Sequence, residues 1–473
     1  MVENTGCSSK ISQADLKRIL TGLPISNDPR VLVGMPAGDD AGIFQYDGDQ
    51  LAWVQTVDVF TPVVDDPYAF GQIAAANSVS DVYAMSGKPL TALSIVGYPV
   101  REAPEKALRE MLRGGIEKMN EAGVAVIGGH SINDKEVKAG FAVTGLVDKN
   151  KMITNDGCQP GDVLILTKPI GTGILSFADQ IDRAPQQGIQ AMTHSMAALN
   201  KGAAQCMIEF AAHAGTDITG FGLMGHLSAM VRASQVTVEI VWDDIPLFPG
   251  VLQCVADGVL PGGIERNKES CAEVVHAGDN ISSAMFDLCF DPQTSGGLLF
   301  AVEESKAQKC LEYLRNEGVD EPKIIGTVTE NSDGCVNLVT TGSRFLPEPT
   351  QHEEIENTNI ETGYSTMNKQ PNDDVPCCAD ALEADSGSGR APELFQNFLK
   401  STSSAGVIDA YTKQAISIAL SVLAKCEPCL KLHIKKAREK GFSQEEIDEA
   451  AWMAIAFGGS PTMMFYKDVC KNL

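Results

Sequence analysis

Apolar positions along the chain follow two periods. Leu51, Trp53, Val54, Thr56 and Val57 form a strand-like run that delivers Asp58. A helix rich in Ala, Ile and Val follows, in which Phe70, Ile73, Ala74, Val79 and Val82 leave little polar surface. Asn77 and Asp81 stand one turn apart on it and share a face. Strands and helices alternate onward through Gly145, with a helix from Pro104 to Ala122, the strand AVIGG, and a turn at Gly128-Gly129-His130-Ser131. A second α/β unit begins near Gly161 with DVLILTKPIGTG and closes with DPQTSGGLLFAV and KIIGTVT. The pattern predicts α/β lobes over residues 1–155 and 156–345 with a ligand between them. Residues 346–391 are acidic and poor in large apolar side chains, the composition of a disordered linker, and residues 392–473 read as helical throughout.

The acids inside the apolar pattern need counter-charges, because an unpaired buried carboxylate costs several kcal/mol. No Lys or Arg lies between Thr56 and Ala84, so a metal ion is the simplest partner for Asp58 and Asp81. Asp39 and Asp40 sit in PAGDDAGIF, a tight turn feeding a strand, and Asp217 lies in GTDITGFGLMGH before a Gly-rich loop. Surface or capping roles account for many lone aspartates. Oxygen ligands on Gly-flexed loops suit magnesium shared with substrate phosphates, and the inference is a magnesium–nucleotide site. The Gly128-Gly129 pair would let backbone amides approach an anion.

Composition narrows the partners. The 473 residues carry a net charge of -25, which argues against nucleic acid or an anionic membrane. No apolar run reaches a bilayer's thickness, and the amino terminus lacks a signal-peptide core. Thirteen cysteines, an odd number and mostly inside apolar segments, read as reduced thiols of a cytoplasmic protein.

Three groups of thiols stand apart. Cys7 and Lys10 lie in TGCSSKIS, ahead of a short helix with Ser12 as N-cap and Leu16, Ile19 and Leu20 as its apolar side; an approaching ammonium would lower the thiol pKa. Cys377 and Cys378 fall in the linker, either incidental or a mobile redox or metal-carrying pair. Cys426 and Cys429 open a helix with Pro428 in its first turn, where free amides favour thiolates, and His433 follows one turn later. A dithiol redox centre, a zinc half-site and a structural CxxC all remain open readings. Gly441 closes that helix, and Ser443 with Glu446 forms a capping box for the next.

Residues from about Gly6 to Leu346 resemble the selenide, water dikinase (selenophosphate synthetase) family through GCxxKIS, DDAG, TVDVFTPVVDDPYAFGQIAAANSVSDVYAMSGKP, GGHSI, TDITGFGLMGHL, LPGGIERN and DPQTSGGLL. The resemblance implies formation of selenophosphate, AMP and phosphate from ATP, selenide and water, with Mg2+ and a monovalent cation such as K+. It also implies a two-lobed α/β (α+β) fold of the aminoimidazole ribonucleotide synthetase kind, pairing as a homodimer near the nucleotide. Carried over by motif, Cys7 matches the catalytic position and Lys10 the ATP-contacting lysine. Asp40, Asp81 and Asp217 match magnesium ligands. Asp39, Asp58 and Asn77 fall among contacts to nucleotide or further metal, and Gly129, His130 and Ser131 match a segment reaching ATP across the dimer. Ser9 replaces a second Cys found in many relatives, and Ala37-Gly38 replace a Thr-Arg pair, at the expected phosphate contact. The segment from about Glu393 to Leu473 is similar to the carboxymuconolactone decarboxylase and alkylhydroperoxidase D-like family, with Cys426, Cys429 and His433 on its motif. Peroxide-reducing members usually carry a Glu where this chain has Gln414, which counts against peroxide reduction and leaves dithiol exchange open, with a thiol reductant or selenium-delivery protein as partner. The rival readings are another ATP-dependent enzyme of the same fold, or a selenium-binding thiol relay.

Overall fold

The computed structural model describes residues 5–7, 10, 13–21, 28–34, 38–45, 50–329, 334–350 and 408–471. Ser9, Ser12, Ala37, Cys377, Cys378 and the linker from residue 351 lie outside these. The chain divides into two compact units, Met1–Glu354 and Ile355–Leu473.

The first lobe of the larger unit contains α1 (Gln13–Leu20), β1 (Val31–Val33), β2 (Gly42–Gln45), β3 (Leu51–Phe60), α2 (Pro67–Ala84), β4 (Lys88–Tyr98), α3 (Glu105–Ala122), β5 (Ala125–Asn133) and β6 (Lys138–Asp148). Its six strands order β1-β2-β3-β6-β4-β5, antiparallel except for the β4–β5 pair. The second lobe contains β7 (Asp162–Leu166), α4 (Thr172–Gln180), α5 (Gln186–Ala197), α6 (Lys201–Glu209), β8 (Ala214–Asp217), α7 (Gly222–Ser234), β9 (Thr237–Val241), α8 (Val251–Ala256), α9 (Gly263–Cys271), β10 (Val275–Ala277), α10 (Ser283–Leu288), β11 (Leu298–Glu303), α11 (Ala307–Asn316), β12 (Lys323–Thr329) and β13 (Val336–Val339). Its seven strands order β10-β13-β9-β12-β7-β11-β8.

The helix α2 is the wall the two lobes share. Asp66 caps it by accepting from the Tyr68 and Ala69 amides, and Pro67 presets its first turn. It packs on α3, β3 and β6 of its own lobe and on α5, α6 and β8 of the other, which is why it is apolar nearly all round. Its approach to α3 is close enough that a Cβ at Gly71 would lie 1.9 Å from the Met111 carbonyl oxygen. The strands then aim their ends at one junction: β3 carries Asp58, and β8 ends on Asp217.

The smaller unit contains α12 (Ala410–Leu423), α13 (Glu427–Glu439) and α14 (Gln444–Lys471) around Ile418, Val422, Leu430, Ile434, Ile447 and Ala451. The capping box forms: the Ser443 amide donates to Glu446 Oε2 at 2.8 Å, and the Glu446 amide to Ser443 Oγ at 3.2 Å.

Two local expectations change. Gly128, Gly129, His130 and Ser131 form no turn; they run through the edge strand β5 in parallel register with β4. The reason is close strand approach, since a Cβ at Gly129 would lie 2.1 Å from Ser94 Oγ. The apolar side of α1 is not buried, with Leu16 and Ile19 both exposed.

Candidate active site

Acids from four segments meet between the lobes. Asp40 lies just ahead of β2, Asp58 is on β3, Asp81 on α2 and Asp217 at the end of β8. Asp40 and Asp217 are near enough, with His226, for one ligand atom of each to lie within 4.8 Å of the others. Asp40 Oδ2 and Asp217 Oδ2 are buried with no hydrogen-bond partner among the described residues. Burial pushes the Asp217 carboxyl up to about 6, against the pull of Ser80 and Lys10. Burial likewise raises Asp40 and Asp81 well above the carboxylate range, and Asp217 adds its repulsion to both. Asp39 stands beside them, pushed up to about 6 by burial, and accepts from the Asp40 amide at 3.1 Å and the Asn155 amide at 3.4 Å. Thr56 Oγ1 holds Asp81 Oδ2 at 2.5 Å.

Asp58 finds its counter-charge far along the chain. Lys10 Nζ donates to Asp58 Oδ2 at 2.7 Å, and Asn77 Nδ2 donates to the same oxygen at 2.5 Å. An ammonium therefore stands where the local sequence offered none. Burial works against the Lys10 charge, but Cys7 and Asp58 outweigh it and hold the ammonium above its ordinary pKa. The Ser295 amide donates to Asn77 Oδ1 at 2.9 Å, which fixes the orientation of the Asn77 amide group.

Cys7 is docked, at 1% exposure. Its amide donates to Thr294 Oγ1 at 3.0 Å, and its Sγ lies 3.8 Å from Asn77 Oδ1. Burial pushes the thiol up to about 12, opposed by the Lys10 ammonium. The expectation of a lowered thiol pKa is thus reversed in this docked position. Desolvation of the sulfur exceeds the attraction of the nearby cation.

Several residues were not singled out by the sequence reading. The Thr219 amide donates to His226 Nε2 at 3.1 Å, which leaves the ring proton on Nδ1, facing Thr216 Oγ1 at 3.3 Å. Thr216 in turn donates to Asp40 Oδ1 at 2.8 Å. Burial pushes His226 down to about 3, so this ring is neutral and orients Asp40 through the threonine. The loop Asp291-Pro292-Gln293-Thr294-Ser295 forms the floor: Thr294 holds Cys7, Ser295 holds Asn77, and Lys168 Nζ donates to the Ser295 carbonyl at 3.1 Å. Both sets lie inside quoted motifs, but nothing in a single sequence says which hydroxyl of such a motif meets which partner. Gly38 is exposed beside Asp39, with its carbonyl accepting from Asn155 Nδ2 at 3.3 Å. Gly129, His130 and Ser131 are exposed on β5 and are not joined to the acidic cluster by any described hydrogen bond or ion pair.

In the smaller unit Cys426 and Cys429 form a disulfide at the start of α13, with Cα atoms 5.3 Å apart. Gln414 Nε2 donates to the His433 carbonyl at 2.9 Å and faces His433 Nδ1 at 3.2 Å.

Known proteins share both units. Residues 38–147 match the family of AIR synthase related proteins, N-terminal domain, and residues 159–338 match its C-terminal domain. Residues 390–469 match the carboxymuconolactone decarboxylase family. The crystal structure of tt0281 from Thermus thermophilus shares the fold, with a TM-score of 0.51 at 19% identity over 69% of this chain and 96% of that one. Fold and site together therefore define an AIR synthase-related protein with a carboxymuconolactone decarboxylase-type unit fused behind it. Among curated relatives, selenide, water dikinase of Pelobacter propionicus is 44% identical over 70% of this chain and 94% of its own length. Selenide, water dikinase of Nitratidesulfovibrio vulgaris strain DP4 is 45% identical over 71% and 95%. The chain belongs to the selenide, water dikinase family.

Proposed function

We propose that this chain makes selenophosphate from selenide, ATP and water, with release of AMP and phosphate. Family membership supports the reaction, and one arrangement carries the site: Asp40 and Asp217 converge, each with a buried oxygen that has no partner among the described residues, Asp81 is near enough to repel them, and Cys7 and the Lys10–Asp58 pair stand beside them. Raised carboxyl pKa values and orphaned oxygens are what a cation site looks like when its charges face one another, and hard oxygen donors fit Mg2+. His226 has both ring nitrogens engaged, so the three carboxylates are the ligands in this reading. When bound, the ion supplies counter-charge to the polyphosphate. A K+ ion belongs to the same proposal through the resemblance.

The chain's own groups do the rest by position and charge. Lys10 is placed to offset negative charge on the phosphoryl group, with Asp58 and Asn77 holding it in register. Gly38, Asp39 and the 129–131 segment are assigned to the nucleotide, the last from a second copy. A homodimer is supported by the open side of the first sheet, where Val57, Leu93, Ile127 and Ile132 are exposed and β5 has no second neighbour among the described residues. Cys7 is assigned to the selenium, its sulfur held near the acids and the Lys10 ammonium. Cys426 and Cys429 reduce an oxidised or thiol-bound selenium species ahead of this step, with a thiol reductant restoring them. Cys206, Cys254, Cys289 and Cys310 are unbridged thiols in the core, and no described helix is long and apolar enough to cross a membrane; a cytoplasmic location belongs to the same proposal.

Phosphorus NMR of the anaerobic protein with Mg-ATP, K+ and selenide tests this, beside a Cys7→Ser control. A selenide-dependent selenophosphate signal with matching AMP, lost in the control, is expected. ATP turnover without that signal would move the assignment to another kinase reaction of this fold, and no turnover would favour a selenium-binding relay.

A further inference from the structure

The hydrogen bonds of Gln414 say what the second unit can do. Gln414 is 5% exposed, and its amide nitrogen serves both the His433 carbonyl and His433 Nδ1. A carbonyl only accepts, so the atom facing it is the NH2 group. That group has one more hydrogen, and it points at Nδ1. Nδ1 is therefore an acceptor, and the ring's hydrogen sits on Nε2. A protonated ring would set an Nδ1–H against an amide N–H, and turning the amide would break its bond to the carbonyl. Burial disfavours the charged ring as well, and the charged groups acting on it, Lys436 and Lys440, are both positive.

We propose that Gln414 fixes His433 as a neutral Nε2–H donor, so that the Cys426–Cys429 pair acts on selenium–sulfur bonds rather than on peroxides. This rests on the dithiol reading above. His433 lies one helical turn beyond Cys429 on the same face, where its Nε2–H can hydrogen-bond to a thiolate. It cannot give that proton away, because imidazolate would result. Cleaving an O–O bond expels a basic oxygen anion that needs a proton. A selenolate is a weaker base than a thiolate and leaves without one.

The step balances without an enzyme acid. One thiolate of the reduced pair, favoured by the free amides at the start of α13, attacks the sulfur of R–Se–S–R′. A cysteine S–S–R′ bond forms, the Se–S bond breaks, and its electron pair leaves as R–Se⁻. The second cysteine then attacks the mixed disulfide; its proton departs with R′SH, and the Cys426–Cys429 disulfide closes. Two electrons have passed to the substrate. An external dithiol returns two electrons and two protons.

The test uses the full chain with ¹⁵N-labelled histidine, with His433→Asn to assign its signals. The expected spectrum shows His433 with Nδ1 unprotonated and Nε2 protonated around neutral pH. In Gln414→Glu a carboxylate beside Nδ1 raises the His433 midpoint by about 1–3 pH units. In parallel, the reduced protein is mixed in single turnover with the selenotrisulfide of glutathione or with hydrogen peroxide, and disulfide formation at Cys426–Cys429 is followed by mass spectrometry. The selenotrisulfide should react far faster. Gln414→Glu should speed the peroxide reaction by roughly 10²-fold, the low end of what a positioned general acid contributes, and so narrow the preference for the selenotrisulfide. A protonated Nδ1 in the native protein, or a Gln414→Glu variant whose preference between the two oxidants is unchanged, would overturn the inference. If the tautomer is as stated but neither oxidant touches the pair, the dithiol reading itself fails and the substrate assignment with it.

Discussion

Asp291 opens the loop that holds Cys7 and Asn77, and it should govern how the larger unit responds to pH. Its Oδ2 accepts from the Gly173 amide at 3.0 Å and Gln293 Nε2 at 2.8 Å, while Oδ1 is buried without a partner among the described residues. Burial pushes the carboxyl up to about 7 from 3.8, with Gln293 pulling the other way. Between those values the folded chain keeps a proton that the unfolded chain has lost, so the group's contribution is full below about pH 4 and is lost as pH rises through 7. A gap of about three pH units corresponds to about 4 kcal/mol. In Asp291→Asn the side-chain oxygen can keep both hydrogen bonds, and the new NH2 occupies the partnerless position at a cost of about 1–3 kcal/mol. The variant should be less stable than the native chain at pH 4.5 and more stable by about 1–3 kcal/mol at pH 8. The assay is urea unfolding followed by tryptophan fluorescence in a Trp452→Phe background, so that Trp53 and Trp242 report residues 1–354. The difference between the two proteins cancels other titrating groups. It should change by roughly 1.4 kcal/mol per pH unit between about 4 and 7 and flatten outside. A difference that is flat across that window, or native stability above that of the variant at pH 8, would refute the argument.

Gly71→Ala should destabilise the larger unit by about 3 kcal/mol or prevent folding, because the added methyl meets the Met111 carbonyl where two helix backbones touch; an unchanged melting temperature would sink the packing argument. Asp217→Asn should weaken Mn2+ binding, read by electron paramagnetic resonance, by at least about 10-fold, or about 1.4 kcal/mol. Thr216→Val should weaken it less, because it frees Asp40 Oδ1 without removing a ligand; equal affinity in all three proteins would remove the cation from the reading. Ile127→Glu on the exposed edge strand should yield monomers in analytical ultracentrifugation, and an unaltered sedimentation profile would place any dimer contact elsewhere.

What could be read from sequence follows from how far each cause lies along the chain. The capping box at Ser443 and Glu446 involves neighbours three residues apart, and the shared face of Asn77 and Asp81 follows from helical period alone, so both were legible. The partner of Asp58 was not, because Lys10 lies 48 positions away and no local pattern announces it. The same distance explains the reversal at Cys7. Three residues of separation suggest a thiol activated by Lys10, whereas the decisive influence is burial, in a position where Thr294, 287 positions away, holds the Cys7 amide. Glycine misled for a related reason. The Gly128-Gly129 pair reads as a turn by composition, yet the missing Cβ of Gly129 serves the approach of β4, a neighbour that only the sheet supplies. His226 lies inside GTDITGFGLMGH and carries no signal of its own there, because its function is relational: with one nitrogen taken by the Thr219 amide, its remaining hydrogen reaches Asp40 only through Thr216. Residue types at an anionic site are thus legible as an excess of acids in apolar company. Which acid takes the ammonium, and which are left with bare oxygens for a cation, depends on contacts between segments far apart in the chain. Asp58 falls on one side of that division and Asp40 and Asp217 on the other, so the same substitution at the two kinds of site should separate loss of Lys10 placement from loss of metal.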